Sequence, residues 1–328
     1  MIQRREFIAG LGGAAAWPLA ARAQRPAIPV IGYLGVRSAA TDASYVEAFR
    51  QGLSENGFIA GRNVQIEFHW ANNPANQRAT LPGLVAELVR RRVNLIVCAG
   101  GDAAPLAAKA ATGTIPIVFS TGGDPVKNGL VTSLNRPGGN VTGVTNLTRE
   151  LSAKRLGLLV DVVPKVTAIA YLVSSDAPNV SQTADLQEAA RTIGRELFVL
   201  NVRSERDIEG LFSTMMQYGI GAFLVSGGFS GLSPGLLTAL ATRHGLPALY
   251  PMREFATIGG LMSYGASFTT MYHQVGVYAG RILKGANPAE LPVMQPIKFE
   301  FVINLNAAKA LGITIPAGVL AIADEVIE

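Results

Sequence analysis

Short apolar runs, each halted by glycine, alternate along the chain with stretches whose apolar positions recur at helical spacing. Residues 93–102, VNLIVCAGGD, give the clearest case. The run is too short for a free-standing helix, it stops at Gly100-Gly101-Asp102, and the Ala-rich stretch 103–111 follows. It therefore reads as a buried parallel strand turning into a helix. Residues 221–228, GAFLVSGG, repeat that shape. Upstream, VIGYL (30–34) is echoed by AIAYL (168–172); downstream, IPIVFST (115–121) is echoed by LPALYPM (246–252). Three strand signals in one order, with helical segments between them, predict a duplicated α/β unit.

The remaining periodicities fill in that unit. Residues 42–56 carry Tyr45, Val46, Phe49 and Leu53 at helical spacing, closed by Gly57. Further helices are predicted over 77–92, 128–134, 150–163, 181–194, 204–218, 234–244, 269–283 and 307–311. Strands are predicted over 63–70, 141–146, 197–202, 261–264 and 297–304. In an open α/β sheet a ligand is held where strand C-termini open into loops and helix N-termini offer N–H groups. Two units place two such edges across a cleft.

Composition is compatible with this picture. At 328 residues the chain suits two lobes. With 49% hydrophobic and 16% charged residues it can bury large cores. The formal net charge is +5, but the cations are scattered, and the run Arg90 to Arg92 sits at a predicted helix end, where it suits the dipole. No basic stripe with interleaved aromatics is present, so nucleic acid is not an expected partner. Cys98, inside an apolar strand, reads as a packed core thiol.

Residues 1–23 stand apart as an export signal peptide. Arg4 and Arg5 precede a modest apolar stretch, and Ala21-Arg22-Ala23 fits a signal peptidase site. The stretch is too short and too weakly apolar to span a membrane. QRREFIA resembles the twin-arginine pattern, with Gln3 for Ser/Thr and Ala9 for Lys, which leaves the export route open. A periplasmic mature chain without a membrane span is expected. Gly10 to Ala15 also match G-x-G-x-x-A, but a preceding strand is missing and no acid lies between Glu6 and Asp42, so no dinucleotide cofactor is expected.

No catalytic constellation emerges. His69, His244 and His273 lie in separate elements without metal-ligand spacing, and Phe229-Ser230-Gly231 fails as a nucleophile elbow because Leu232 replaces its second glycine. Neither an enzyme nor a metal site is predicted. A binding cleft is better supplied. The strand ends collect Tyr33, Leu34, Ser120, Thr121, Ser226, Gly227 and Tyr264, with Gly101, Asp102, Asp124 and Asn146 in adjoining loops. Hydroxyls and helix-start N–H groups suit a carboxylate or carboxamide, an aspartate suits an amine, and aromatic faces suit a planar body. Asp102 is equally readable as a helix cap and Asp124 as the holder of an Asp-Pro turn, with core packing the lesser reading of Tyr264.

Four motifs in order, PGGNVTG (137–143), GGLMSYG (259–265), GRILKG (280–285) and FEFVIN (299–304), resemble the ABC-transporter substrate-binding proteins related to the tryptophan-binding TrpX type. The likeness runs through essentially the whole mature chain. It implies a type I periplasmic binding fold: two Rossmann-like lobes with parallel sheets, joined by three crossing segments near 144–147, 257–261 and 292–296. Lobe one would comprise 28–145 plus 262–292, and lobe two 146–261 plus 293–328. The resemblance also implies capture of a small organic ligand, an amino acid or related carboxylate, for ABC permease subunits in the inner membrane. A sensor subunit reporting to a receptor kinase is the alternative, since fold alone does not separate the two. Where relatives often carry a polar or acidic residue after Ser-Tyr-Gly, this chain has Ala266-Ser267-Phe268, which removes a carboxylate partner for a ligand amine.

Overall fold

The computed structural model describes residues 28–71, 77–146, 151–174, 180–203, 205–227, 234–295 and 299–328; the predicted export signal and residues 229–231 lie outside them. The apolar runs become strands buried on both faces, as expected where helices cover a parallel sheet. In the first lobe, β1 (Val30–Gly35), β2 (Gln65–Trp70), β3 (Leu95–Ala99), β4 (Ile117–Thr121) and β5 (Val141–Thr145) form a parallel sheet in the order β2-β1-β3-β4-β5. In the second, β6 (Ala168–Ser174), β7 (Glu196–Val202), β8 (Ala222–Val225), β9 (Ala248–Tyr250) and β10 (Met262–Ala266) take the equivalent order, β7-β6-β8-β9-β10. There β11 (Phe299–Asn304) adds antiparallel to β10, and β12 (Glu325–Ile327) lies at the edge. The echoed sequences occupy equivalent strands, so the duplication predicted from the sequence is present in the sheets.

Helices α1 (Ala43–Glu55), α2 (Gln77–Arg90) and α3 (Ala103–Ala111) cover the first sheet; α4 (Leu151–Val162), α5 (Val180–Thr192), α6 (Ile208–Gln217) and α7 (Pro234–Arg243) cover the second. Alternate residues of each strand enter different cores. Ile31, Tyr33 and Val97 pack with Phe49 of α1 on one face, while Leu34, Ile96 and Cys98 pack with Val85 of α2 on the other. Cys98 is fully buried, and burial pushes its thiol pKa up, as expected of a core thiol.

After β9 come the short α8 (Arg253–Thr257) and then β10, which pairs with both β9 and β11. This corrects the expected crossing at 257–261 and the assignment of 262–266 to lobe one. β10 holds in the second sheet the place β5 holds in the first, so the chain leaves only after Ala266. Ser267 then caps α9 (Phe268–Leu283), its side chain accepting from the Thr270 N–H at 3.4 Å. α9 docks against α1 of the first lobe through glycines. A Cβ on Gly276 would stand 2.1 Å from the Phe49 carbonyl, and one on Gly52 would stand 2.0 Å from the His273 carbonyl. Val293 is buried in the first lobe's core and Met294 bridges Val144, so residues 293–295 stay with that lobe rather than joining the second. α10 (Leu305–Ala310) and α11 (Ala317–Leu320) follow β11.

Residues 128–134, predicted helical, form turns instead. Gly129 sits at φ +71°, outside helical backbone, and the Leu130 and Val131 N–H groups both fold back onto the Pro125 carbonyl.

Candidate ligand-binding site

The ends of β1, β3 and β4 deliver a polar cluster on the first lobe. Arg37, two residues past β1, donates from Nε to Asp42 Oδ1 at 2.5 Å and from Nη2 to the Tyr272 hydroxyl at 3.2 Å. Its guanidinium lies over the Tyr45 ring, 5.1 Å from the centroid, and that ring stacks on Tyr272 at 5.0 Å. The Tyr272 hydroxyl also faces Ser120, whose Oγ accepts from the Gly100 N–H at 3.3 Å. Gly100 and Gly101 have φ of +97° and +140°, a backbone that side chains strain, and this turn lets β3 end against Ser120. Burial alone would lower the Arg37 pKa, but Tyr272 and Asp42 beside it hold it raised. Burial pushes the Asp42 carboxyl up, and Arg37 offsets only part of that.

The second lobe presents a different edge. Ser226 follows β8, is buried, and gives its N–H to the Leu172 carbonyl at 2.9 Å; Gly227 is beside it, half-buried. Tyr264 on β10 is half-buried against Phe299 and Phe301. Beneath it lies Arg155 of α4, 1% exposed, donating from Nε to the Tyr264 carbonyl at 2.6 Å.

The two edges meet. The Tyr45 hydroxyl, on the first lobe, faces the Glu254 carboxylate on α8, just past the end of β9. Burial, with Glu254 adding to it, raises the Tyr45 pKa well above its ordinary value, so this hydroxyl is a donor at every physiological pH.

Of the residues proposed from sequence, Ser120 belongs to the first-lobe cluster. Thr121 and Asn146 lie beside it at the ends of β4 and β5: Thr121 Oγ1 accepts from the Gly123 N–H at 3.1 Å, and Asn146 donates its N–H to the Thr121 carbonyl. Asn146 is 3% exposed, and its Oδ1 has no hydrogen-bond partner among the described residues. Asp124 Oδ1 accepts from the Val126 and Lys127 N–H groups at 3.0 and 3.1 Å, so it builds the turn. Asp102 makes no side-chain cap to α3; its Oδ2 accepts from Asn128 Nδ2 at 2.9 Å and ties that same loop to Gly101 and the end of β3. Leu34 is fully buried on the α2 face of the sheet, away from this cluster, because period-two alternation sends it opposite Tyr33. The Tyr33 ring is core against Phe49, Phe68 and Trp70, and only its hydroxyl approaches Arg37, Asp42 and Tyr272.

Sequence reasoning missed Arg37, Asp42, Tyr45, Tyr272, Glu254 and Arg155. For Arg155 a signal existed: Leu151, Leu158, Leu159 and Val162 form the buried stripe of α4, and the arginine occupies a place in it where a leucine would serve.

Among the described residues no group of three or more His, Cys, Asp or Glu is placed to hold a metal ion. His244 stacks on Phe212, and His273 pairs with Glu55 at 2.8 Å. Among the same residues no helix is long and apolar enough to cross a membrane.

Three comparisons bear on this geometry. The profile of the family described as ABC transporter substrate binding protein matches residues 36–327. A "Tyrosine-binding protein" of Clostridioides difficile is 25% identical over 267 residues, 81% of this chain and 75% of that one. Among solved structures, the ABC domain in complex with L-Trp from Streptococcus pneumonia superposes with a TM-score of 0.79 at 28% identity, covering 91% of this chain and 99% of that one. A conserved domain protein from Vibrio cholerae superposes at 0.80 with 25% identity, again over 91% and 99%.

Proposed function

Because this chain belongs to the ABC transporter substrate binding proteins, we propose that it captures an amino acid, aromatic in preference, between its two sheet edges and delivers it to the permease of an importer. The observation that carries this reading is the meeting of the C-terminal edges, with Tyr45 of one lobe against Glu254 of the other. A ligand seated there is enclosed by both lobes, and three chain crossings are the places where backbone change allows the lobes to part. The names of two relatives support the ligand class: one is a tyrosine-binding protein, and the other holds L-Trp. The first lobe offers what such a ligand needs on its amine and ring sides. Asn146 Oδ1 is a buried acceptor without a donor, and the stacked Tyr45 and Tyr272 rings flank the same edge.

In this reading residues 1–23 export the chain, and the closed pair of lobes is the shape a permease recognises. Binding involves no chemistry; it converts ligand affinity into a closed population. A thermal-shift panel of the mature protein against the amino acids tests the proposal. A ligand at about a hundred times its Kd should add about 2.7 kcal/mol of stability, with L-tryptophan or L-tyrosine among the strongest. No shift with any amino acid would sink the reading.

A further inference from the structure

Among the described residues, Arg155 is a buried cation without an anion. Nε is satisfied by the Tyr264 carbonyl, but both terminal nitrogens, Nη1 and Nη2, are buried and have no hydrogen-bond partner. Among the described residues the groups that act on its charge are the hydroxyls of Tyr171 and Tyr264, with no carboxylate. Arg37 across the cleft is unlike it, being matched by Asp42. An unpaired buried guanidinium is costly, and a protein keeps one where something else supplies the negative charge. Position indicates where that charge arrives. A Cβ on Gly265 would lie 3.6 Å from Arg155 Nη2 and against the Pro251 carbonyl, which places the fork at the ends of β9 and β10. Ser263 Oγ, on the same strand, is also buried without a partner.

We propose that Arg155 is the carboxylate receptor of the binding site, its two Nη groups each donating to one oxygen of a ligand carboxylate from the second lobe. A planar fork meeting a planar carboxylate gives two parallel charge-assisted hydrogen bonds, which a lysine cannot reproduce. Burial lowers the Arg155 pKa, but only to about 10, so the receptor stays cationic at neutral pH. The inference deepens the amino-acid reading and rests on it for the ligand's identity, though not for its carboxylate. It assigns the acid end of the ligand to the second lobe and the amine and ring to the first, so a ligand without a carboxylate would leave the second lobe's charge unanswered.

The test is calorimetric titration of the mature protein with L-tryptophan and L-tyrosine, with their carboxamides, and with benzoate and indole-3-acetate as carboxylates lacking an amine. The acids should bind about a hundredfold or more tightly than the amides, and Arg155→Met should lose that margin, as removing one partner of a buried charge pair does. Arg155→Lys should recover only part of it. Without ligand, Arg155→Met should melt at higher temperature than the wild type, because an uncompensated charge has gone. Amino acids bound as tightly as their amides, or equally by Arg155→Met, would overturn the receptor and leave the amino-acid reading intact. Binding of the simple carboxylates but not of amino acids, lost in Arg155→Met, would support the receptor and overturn the amino-acid reading. Failure of every carboxylate to bind would overturn both. The acid–amide comparison on the wild type decides the matter if the variants do not fold.

Discussion

On the first lobe, Arg37 reaches Asp42 at 2.5 Å and Tyr272 at 3.2 Å; on the second, Arg155 reaches one backbone carbonyl and no other group among the described residues. The strands beneath them follow one order, so the contrast does not come from the fold. It comes from what each edge contains before a ligand arrives. The first is matched in charge, with Arg37 held by Asp42 and Tyr272 and the rings of Tyr45 and Tyr272 stacked, while its neutral acceptor Asn146 Oδ1 is left open. The second holds a charge in reserve. A matched cluster supplies shape and stability, while an unmatched charge supplies a requirement on the ligand.

The comparison can be broken most forcefully at Asp42. Asp42→Ala should cost about 3–5 kcal/mol, because it strips a partly buried Arg37 of its counter-charge. Thermal denaturation reads this directly, and Arg37→Met in the same chain should restore much of the loss. A drop no larger than that of a surface ion pair would mean that the first lobe's charge is not matched in the sense argued. The sign is opposite to that expected for Arg155→Met, and the two measurements together make the contrast quantitative. Next in size, Gly276→Ala drives a methyl into the Phe49 carbonyl and should cost about 1–3 kcal/mol by forcing α9 off α1. Since α9 carries Tyr272, ligand affinity should fall along with the melting temperature; a loss of stability alone would separate the helix contact from the cluster. The smallest effect belongs to Tyr45→Phe. Removing the hydroxyl that meets Glu254 should cost the closed state about 1 kcal/mol, seen as a fivefold or so weaker Kd with a nearly unchanged melting temperature without ligand. An unchanged Kd would mean that the contact between lobes does not contribute to closure.

Much of the fold was legible from the residues, and the reason is physical. A strand buried on both faces must be apolar throughout, and a turn such as Gly100-Gly101 must be glycine, so VIGYL and AIAYL, or VNLIVCAGG and GAFLVSGG, declare themselves. The second crossing was misplaced because GGLMSYG carries no mark separating a strand from the hinge after it; only pairing with β9 and β11 settles that β10 ends at Ala266. The turn region 128–134 looked helical because its apolar spacing matched, while the decisive facts, Asp124 accepting from two N–H groups and Gly129 at positive φ, are local geometry. The site was legible only in part. Ser120 and Asn146 sit at strand ends, where an α/β sheet puts its polar edge. Arg37 and Asp42 come from an irregular loop without a period, and α8, which carries Glu254, spans too few residues for one. Arg155 was legible in principle, as a cation in a leucine's place on α4, but its lack of an acid partner is a property of three dimensions.

The central claim is that a ligand lies between the two sheet edges, and the most direct test is a crystal structure of the mature protein with L-tryptophan bound. The account predicts the ligand between the Ser120 edge and the Ser226 edge, its carboxylate on the Arg155 fork. A ligand found instead outside the cleft, for example in the open groove of about 580 Å³ beside Arg50 and Phe68 on the first lobe's outer edge, would contradict it.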